Sequence, residues 1–265
     1  MELSPKELER YSRHLQLEGV GVKGQKLLKG ASVLIVGAGG IGSPLGLYLA
    51  AAGIGSIGIV DGDAVEEANL QRQIVYRSDE FGRNKAMIFR ENLIRLNPYI
   101  RVTAYPEWAS GDNAADLIGG YTIVADSTDT FSVRTILADE SYRQGKPYIF
   151  GSLLKYKGKA GMFTPKTAAP GTKDPAATPA REGPCFRCAF PTPPSVRVIS
   201  SKAAGAMLGV IPGTIGCLMA TEILKFVLGK PVLLAGSVLT YDSLEMGITR
   251  ETVEKRPGCP VCGGG

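Results

Sequence analysis

Short apolar runs alternate with helical patterns along the first part of the chain, which indicates an α/β fold. The run SVLIVG at residues 32–37 is followed by a glycine-rich stretch, a helical segment to about Ala52, and a second run, SIGIVD, at residues 56–61. Runs at residues 121–130 and 146–154 also have the composition of buried strands. The pattern predicts a Rossmann-like, mostly parallel sheet with helices on both faces.

The most apolar stretch, AMLGVIPGTIGCLMATEILKFVLG at residues 206–229, predicts a buried helix rather than a membrane span. Pro212 interrupts it, and Glu222 and Lys225 lie near its end. The start of the chain, MELSPKELERYSRHL, carries charges where a signal peptide needs an unbroken apolar run. We therefore expect a cytoplasmic protein without a membrane partner.

Length and charge narrow the class of protein further. The 265 residues suffice for one large α/β domain, and 44% hydrophobic with 21% charged residues is ordinary for a globular protein. The net charge of +5 is mild and no basic cluster has interleaved aromatic residues, so we expect no nucleic-acid partner. A single histidine, His14, makes catalysis by a histidine base a poor hypothesis.

Four of the five cysteines form two pairs, Cys185 with Cys188 in CFRC and Cys259 with Cys262 in CPVC. Two such pairs supply the four thiolates of a tetrahedral zinc site, and four thiolates leave no open position for a catalytic water. We expect a structural zinc that pins a distant loop to a C-terminal part with some antiparallel strands. A redox dithiol is the alternative, and Cys217 is expected to be a small core residue.

A glycine loop follows the first predicted strand. Gly37, Gly39 and Gly42 have the G-x-G-x-x-G spacing, and Asp61 ends the second strand nineteen residues later. Backbone N–H groups of such a loop approach phosphates closely, and a carboxylate in that place accepts hydrogen bonds from ribose. The fingerprint alone points first to a nicotinamide or flavin enzyme.

Cations after the second strand favour ATP instead. Asn69, Arg72, Gln73 and Lys85 surround a predicted loop before a helix that ends near Pro98. A triphosphate needs several cations because negative charge grows on it during transfer. The alternative is that Arg72 and Lys85 are solvated surface charges.

Two acids, Asp126 and Asp129, end the strand predicted at residues 121–130. Ligands gather at the carboxyl ends of parallel strands, so an acid there can hold Mg²⁺ between phosphate oxygens. Asp129 is the better candidate, although an aspartate can also cap the next helix.

The motifs RYSRH, GAGGIGS, VDGD, NLQRQ, GRNKA, DSTD, CFRC and GCPVCG occur in the order and spacing of the MoeB/ThiF/HesA family, which the chain resembles over nearly its whole length. This family is related to the ubiquitin-activating enzymes. The resemblance implies adenylation, with Mg·ATP and release of pyrophosphate, of the C-terminal glycine carboxylate of a small ubiquitin-fold sulfur-carrier protein ending in Gly-Gly. It also implies a homodimer.

The resemblance also implies roles for single residues. Gly40 lies in the nucleotide loop, Asp61 holds the ribose, and Lys85 lies on the phosphates. Asp129 binds magnesium, and Arg13 reaches into the active site of the partner in the homodimer. The ATP contacts implied for the segment NLQRQ are Asn69, Arg72 and Gln73. Two local features of the sequence predict one helix for the arm that carries Arg13. They are an S-x-x-E capping box at Ser4 and Pro5 at the first helical position.

Two departures from the family stand out. Many relatives carry a cysteine in the crossover loop, and this chain has Lys202 at that position, or Ser201 if the alignment gap is placed differently. We therefore expect the enzyme to stop at the acyl-adenylate and a separate sulfur donor to complete the reaction. The Pro/Ala/Thr-rich stretch at residues 165–183 is expected to be a mobile surface loop, with or without a role as a cover over the tail of the carrier.

We expect one unit over residues 1–265. Its parts are a helical arm at 1–30, a nucleotide-binding half at 31–164, a flexible insertion and crossover loop at 165–205, and a part at 206–265 that closes the zinc site. Three other functions stay open: adenylation of a peptide or small carboxylic acid, an NAD-dependent oxidoreductase, and a non-catalytic scaffold that binds a ubiquitin-fold partner.

Overall fold

The computed structural model describes residues 2–165, 183–192 and 206–263. The helices within these ranges are α1 Pro5–Arg10, α2 Ser12–Leu15, α3 Gly21–Gly30, α4 Gly42–Ala52, α5 Lys85–Leu96, α6 Ala114–Gly119, α7 Phe131–Arg143, α8 Phe186–Ala189 and α9 Val210–Val227. The strands are β1 Ser32–Val36, β2 Ser56–Val60, β3 Arg101–Tyr105, β4 Ile123–Asp126, β5 Tyr148–Leu154, β6 Lys157–Phe163, β7 Ser237–Asp242 and β8 Gly247–Thr252.

One eight-stranded sheet has the order β3-β2-β1-β4-β5-β6-β7-β8. The first five strands of this order pair in parallel, and the last three pair antiparallel. The chain leaves β1 toward β2 on one side and later returns to β4 on the other, which makes a switch point between β1 and β4. The predicted α/β class, with a mostly parallel sheet and antiparallel C-terminal strands, is confirmed.

Helices cover both faces of the parallel strands, as predicted. Val33 and Ile35 of β1 pack into a core with α4, α5 and α9, whereas Leu34 and Val36 face a second core with α6, α7 and α8. Helix α9 is long and apolar enough to cross a membrane by length and composition, but 56% of it is buried inside the described structure. This burial identifies it as the core helix that the sequence predicts.

Two predicted elements are wrong in their extent. The strand predicted at residues 121–130 covers only Ile123–Asp126, because the backbone turns at Thr128, whose N–H donates to the Asp126 carboxylate at 2.8 Å. The single N-terminal helix is broken at Tyr11, whose side chain is buried and accepts a hydrogen bond from Asn97 at 2.8 Å. Arg13 therefore lies on α2, a separate turn of helix.

Most of the predicted insertion and crossover loop, together with Ser201 and Lys202, lies outside the described residues. Within the described residues 183–192, α8 begins directly after Cys185 and includes Cys188.

Candidate nucleotide site and cysteine cluster

The candidate nucleotide site lies at the carboxyl ends of the central strands. Val36 of β1 pairs with both Val60 of β2 and Asp126 of β4, so the segments that follow these three strands leave the sheet side by side. Gly37 and Asp61 follow two of these strand ends directly. Ligands of open α/β sheets bind at this edge beside a switch point.

The glycine loop approaches the loop after β4 too closely for side chains. Gly37 has φ +94°, and a Cβ there would lie 2.9 Å from the Ser127 carbonyl. Ser127 Oγ donates to the carbonyl oxygens of Val36, at 3.0 Å, and of Gly37, at 2.5 Å. At Gly42, a Cβ would lie 2.2 Å from the Gly37 carbonyl oxygen. These contacts give the glycine spacing its physical reason.

Asp61 braces the glycine loop from the neighbouring strand. Its Oδ2 accepts from the Ala38 N–H at 2.7 Å and its Oδ1 from the Asp63 N–H at 2.8 Å. Burial raises the pKa of Asp61 above its ordinary value, against the opposing effect of these two N–H groups and of Lys85. Each carboxylate oxygen has a second lone pair, which leaves acceptor capacity for ribose hydroxyls.

The segment NLQRQ packs on the glycine loop. Gln73 Nε2 donates to Asn69 Oδ1 at 2.8 Å, and Arg72 NH2 donates to the same oxygen at 3.3 Å. A Cβ at Gly40 would lie 3.2 Å from Arg72 Cγ. Gln73 is 4% exposed, and its Oε1 has no hydrogen-bond partner in the described structure. A buried acceptor without a partner is unusual and fits a site that a ligand completes.

Lys85 begins α5 at the same edge. Asn84 caps that helix by accepting from the Met87 N–H at 3.1 Å, and its amide donates to the Asp61 carbonyl oxygen at 3.0 Å. Lys85 is buried, and its Nζ donates to Asp63 Oδ2 at 2.9 Å, where Asp63 itself is half exposed. The ammonium is therefore held in place by a carboxylate that is itself partly open to solvent.

Asp129 lies on the loop between β4 and α7, residues 127–130, which we call the Asp129 loop. The side chain is exposed, and Thr130 Oγ1 donates to its Oδ1 at 3.2 Å. The N-cap of α7 is Thr130, without a side-chain cap bond, so Asp129 does not cap the helix. Asp126, in contrast, is fully buried and hydrogen-bonded, which leaves Asp129 as the carboxylate available to a metal ion.

Among the described residues predicted for the nucleotide site, Arg13 is the one that lies away from the glycine loop. The arm is fixed at the far ends of α4 and α5, where the Gln25 amide donates to the Ala52 carbonyl oxygen at 2.9 Å and His14 Nδ1 lies 3.0 Å from Gln25 Oε1. Helix α4 has 11 residues, so about 16 Å separates that end from the glycine loop. The exposed Arg13 side chain thus lies away from the nucleotide site of its own chain.

Two residues of the site have no signal in the sequence. Tyr76 donates its phenol to the carbonyl oxygens of Ala38, at 2.7 Å, and Lys85, at 3.3 Å, and so ties the glycine loop to α5. Trp108 is 64% exposed, and a Cβ at Gly62 would lie 2.6 Å from its ring. Both contacts join segments far apart in the chain, which local patterns do not reveal.

The four paired cysteines meet at the other end of the second core. The sulfurs of Cys185 and Cys259 lie 3.4 Å apart, those of Cys188 and Cys262 lie 3.3 Å apart, and all four lie within 4.8 Å of one another. Sulfurs at about 2.3 Å from a tetrahedral zinc are about 3.8 Å apart, so the cluster fits zinc. All four thiols are free of disulfides and buried.

The four thiols differ in how readily they ionise. Burial alone would raise the pKa of Cys259, but hydrogen bonds from the N–H groups of Cys262 and Val261 and from neighbouring thiols outweigh it and lower the pKa to about 7. Burial and the neighbouring thiols instead raise the pKa of Cys185 and of Cys262 above the ordinary value. The Arg256 N–H lies 3.4 Å from Cys188 Sγ. N–H groups directed at sulfur stabilise the charged form that binds metal.

The described residues also fit Mg·ATP. The glycine loop lacks Cβ atoms that would fill the space above it, and Arg72 and Lys85 provide positive charge beside it. Magnesium is commonly held by one or two carboxylates together with substrate phosphates, and Asp129 supplies one. That these residues bind ATP and magnesium stays a prediction.

Comparisons with known proteins agree with this geometry. The model of the ThiF family matches residues 11–261. The chain is 41% identical over 263 residues to a sulfur carrier protein adenylyltransferase of Thermus thermophilus, with 99% of this chain and 93% of that protein covered. It is also 41% identical to MoeZ of Mycobacterium tuberculosis, a probable adenylyltransferase/sulfurtransferase, over 97% of this chain but only 63% of MoeZ.

Solved structures share the fold. A crystal structure of E. coli MccB with ATP superposes with a TM-score of 0.80 at 25% identity, covering 96% of this chain and 75% of MccB.

Proposed function

The chain belongs to the ThiF family, and on that basis we propose that it adenylates the C-terminal carboxylate of a small ubiquitin-fold sulfur carrier with Mg·ATP. The enzyme class, adenylyltransferase, is that of its relatives. The observation that carries the proposal is the placement of two cations at the edge of the sheet that carries the glycine loop: Arg72 lies against Gly40, and Lys85 pairs with Asp63, two residues after Asp61. A nicotinamide enzyme needs few cations near its second strand, whereas a triphosphate needs several.

The reaction needs no protein base. A carboxylate oxygen of the carrier attacks the α-phosphorus of ATP, the bond from that phosphorus to the bridging oxygen breaks, and pyrophosphate leaves with the electron pair. The carboxylate is already ionised at neutral pH, so the chain has only to orient it and to offset negative charge. Asp61 orients the ribose, while Arg72 and Lys85 lie along the phosphates.

Magnesium, when bound, neutralises charge on the phosphates and lowers the cost of bringing an anion to the α-phosphorus. Asp129 would hold it, because its carboxylate is exposed beside the glycine loop and is used neither as a helix cap nor in an ion pair with a described residue. The four clustered cysteines would hold a structural zinc.

Arg13 acts in the site of a partner subunit if the chain forms a homodimer. Support comes from the arm, which is fixed at the ends of α4 and α5 remote from the site, so that Arg13 cannot complete the site of its own chain. An arginine from the partner would add a third cation beside the phosphates.

Transfer of sulfur belongs to a separate donor under this proposal. No cysteine occurs between Cys188 and Cys217 in the sequence, and Ser201 and Lys202 stand in the region where many relatives have one. The product of this chain would then be the acyl-adenylate, and the expected compartment remains the cytoplasm.

ATP–pyrophosphate exchange tests the proposal. The purified protein is incubated with labelled pyrophosphate, Mg·ATP and, in turn, each small ubiquitin-fold protein of the same genome that ends in Gly-Gly. We expect exchange with one carrier, its loss when the last glycine is deleted, and a fall of about a hundredfold or more in Asp129→Ala. Asp116→Ala, which alters an exposed aspartate on α6, is the matched control and should retain activity.

The other outcomes are informative. Exchange with a peptide or small acid, and with no carrier, would replace the carrier by that substrate. Protein that binds a carrier but not ATP, and whose cellular function survives Asp129→Ala, would establish a scaffold.

A further inference from the structure

A buried polar cluster lies beneath the Asp129 loop and has no part in the chemistry proposed above. Its centre is Asp126, the last residue of β4, which is fully buried. Asp126 Oδ1 accepts from both the N–H of Thr128, at 2.8 Å, and its Oγ1, at 2.7 Å. One carboxylate oxygen thus holds the residue that directly precedes Asp129.

Arg134, on the first turns of α7, holds the same loop from the other side. Its NH2 donates to the Thr128 carbonyl oxygen and, at 2.9 Å, to the Gly151 carbonyl oxygen of β5. Its Nε lies 3.4 Å from Asp126 Oδ2, and the guanidinium lies 5.4 Å from the ring centroid of Phe150. The N–H and the C=O of Thr128 are therefore both bound by buried charged groups.

Tyr148 of β5 completes the cluster. Its phenol donates to Asp126 Oδ2 at 2.5 Å, and burial raises its pKa well above the ordinary value, so the phenol stays a donor. Its ring packs against Phe186, which lies between Cys185 and Cys188 of the zinc candidate, with centroids 5.9 Å apart.

Buried ion pairs add little net stability compared with apolar residues of similar volume, since desolvation offsets the attraction. They are more effective in selecting one geometry, because breaking any bond leaves a charge unpaired in a medium of low dielectric constant. In this cluster, three of the hydrogen bonds are made to Thr128, which belongs to the Asp129 loop and to neither β4 nor α7.

We propose that Asp126, Arg134 and Tyr148 are positioning residues that hold the Asp129 loop in one conformation, so that the Asp129 carboxylate is already aimed at magnesium when ATP enters. The loop-fixing part stands on the geometry alone, and the magnesium part rests on the function proposed above. The set extends the magnesium site inward, through a hydrogen-bond network, to β5 and the aromatic core.

Tyr148→Phe is the sharpest test, because it removes one oxygen and keeps the ring that packs against Phe186. We expect amide hydrogen exchange in peptides covering residues 127–130 to become about tenfold faster, and the Mg²⁺ concentration for half-maximal ATP binding to rise about tenfold, which is the effect of losing a charge-assisted hydrogen bond. ATP binding in EDTA should not change, because Asp61, Arg72 and Lys85 are untouched. Calorimetry measures both affinities.

Tyr121→Phe is the matched control. It also removes the phenol oxygen of a buried tyrosine in the same core, but that phenol pairs with Tyr105 at 3.1 Å and does not contact the Asp129 loop. We expect a similar loss of thermal stability without either effect on the loop or on magnesium. Arg134→Lys, which keeps the charge and loses the two-carbonyl contact, should behave as Tyr148→Phe does.

Loop exchange and magnesium requirement that are the same in Tyr148→Phe and Tyr121→Phe would overturn the inference. A different experimental result would contradict the proposed function and leave the fixing of the loop intact. If wild-type protein binds no Mg·ATP while exchange of residues 127–130 still responds to Tyr148→Phe, the set fixes the loop, and its connection to magnesium is refuted together with that function.

Discussion

Gly37 and Gly42 lie where the glycine loop leaves no room for a side chain. The backbone of Gly37 has a positive φ, and its carbonyl oxygen would lie 2.2 Å from a Cβ on Gly42. Ser127 donates to that same oxygen, so the carbonyl cannot move away without breaking this hydrogen bond. A methyl group at Gly42 therefore displaces the loop that is proposed to receive the phosphates.

We expect Gly42→Ala to lower the free energy of unfolding by about 1–3 kcal/mol, as overpacking does, and to weaken ATP binding. Urea denaturation and calorimetry measure the two effects. Gly30→Ala is the control: Gly30 ends α3, and a Cβ there meets nothing within 4 Å. It should be neutral or stabilising by about 0.5–1 kcal/mol. Equal stability of the two variants would contradict this account of the loop.

Helix α8 connects the cysteine cluster to the second core. Phe186 directly follows Cys185 and is only 2% exposed. Its ring centroid lies 5.4 Å from that of Phe150 and 6.1 Å from that of Phe163. Arg187 forms an ion pair at 2.9 Å with Asp139 of α7. Cys185 and Cys259 are 74 residues apart in the chain, so a shared metal would fasten α8 to the segment after β8. The helix has only four residues and depends on such contacts.

We expect about one zinc per chain in wild-type protein. Cys259→Ser should lose it and lower the Tm by about 5 °C or more, since metal binding contributes to folding free energy. Cys217→Ser, which alters the half-buried cysteine of α9 outside the cluster, should keep both zinc and Tm. Elemental analysis with thermal denaturation measures this. Wild-type protein without zinc, or Cys259→Ser with full zinc, would contradict the assignment.

The arrangement of the whole chain separates the N-terminal arm from the nucleotide site. Asn97 donates to the Tyr11 phenol and, at 2.7 Å, to the Ala50 carbonyl oxygen, which fixes the arm at the ends of α4 and α5. The glycine loop and Lys85 lie at the opposite ends of these two helices. If a nucleotide binds at that site, as proposed above, Arg13 can reach it only from a second copy of the chain.

Mixing two inactive variants tests this arrangement. A heterodimer of Arg13→Ala and Asp129→Ala protomers has one site that combines an intact Asp129 with an intact Arg13 from the partner. Because half of the dimers in an equal, fully exchanged mixture are heterodimers, exchange activity should recover to about a quarter of the wild-type value. No recovery would mean that Arg13 acts within its own chain, whereas full activity of Arg13→Ala alone would mean that Arg13 is not needed.

Much of the site follows from local patterns. The spacing of Gly37, Gly39 and Gly42 between an apolar run and a helix, with Asp61 after the next run, predicts the loop and the strand ends that carry it, because strand and helix periodicities are local properties. The two C-x-x-C pairs predict that the four thiols lie together, since two such pairs in one chain suit a single tetrahedral metal site. The resemblance to the family, carried by motifs such as NLQRQ, named the reaction class.

Other features depended on contacts between distant segments. The break at Tyr11, the early end of β4 and the Asp126–Arg134–Tyr148 set each arise from hydrogen bonds between parts of the chain that only packing brings together. Asp126 and Asp129 are alike in sequence, yet burial makes one a brace and leaves the other open to a metal ion. The order of residues determined which groups exist and which strand ends they follow. Burial and distance, which only the tertiary structure provides, decide what each group is free to do, because desolvation and hydrogen bonding act through space.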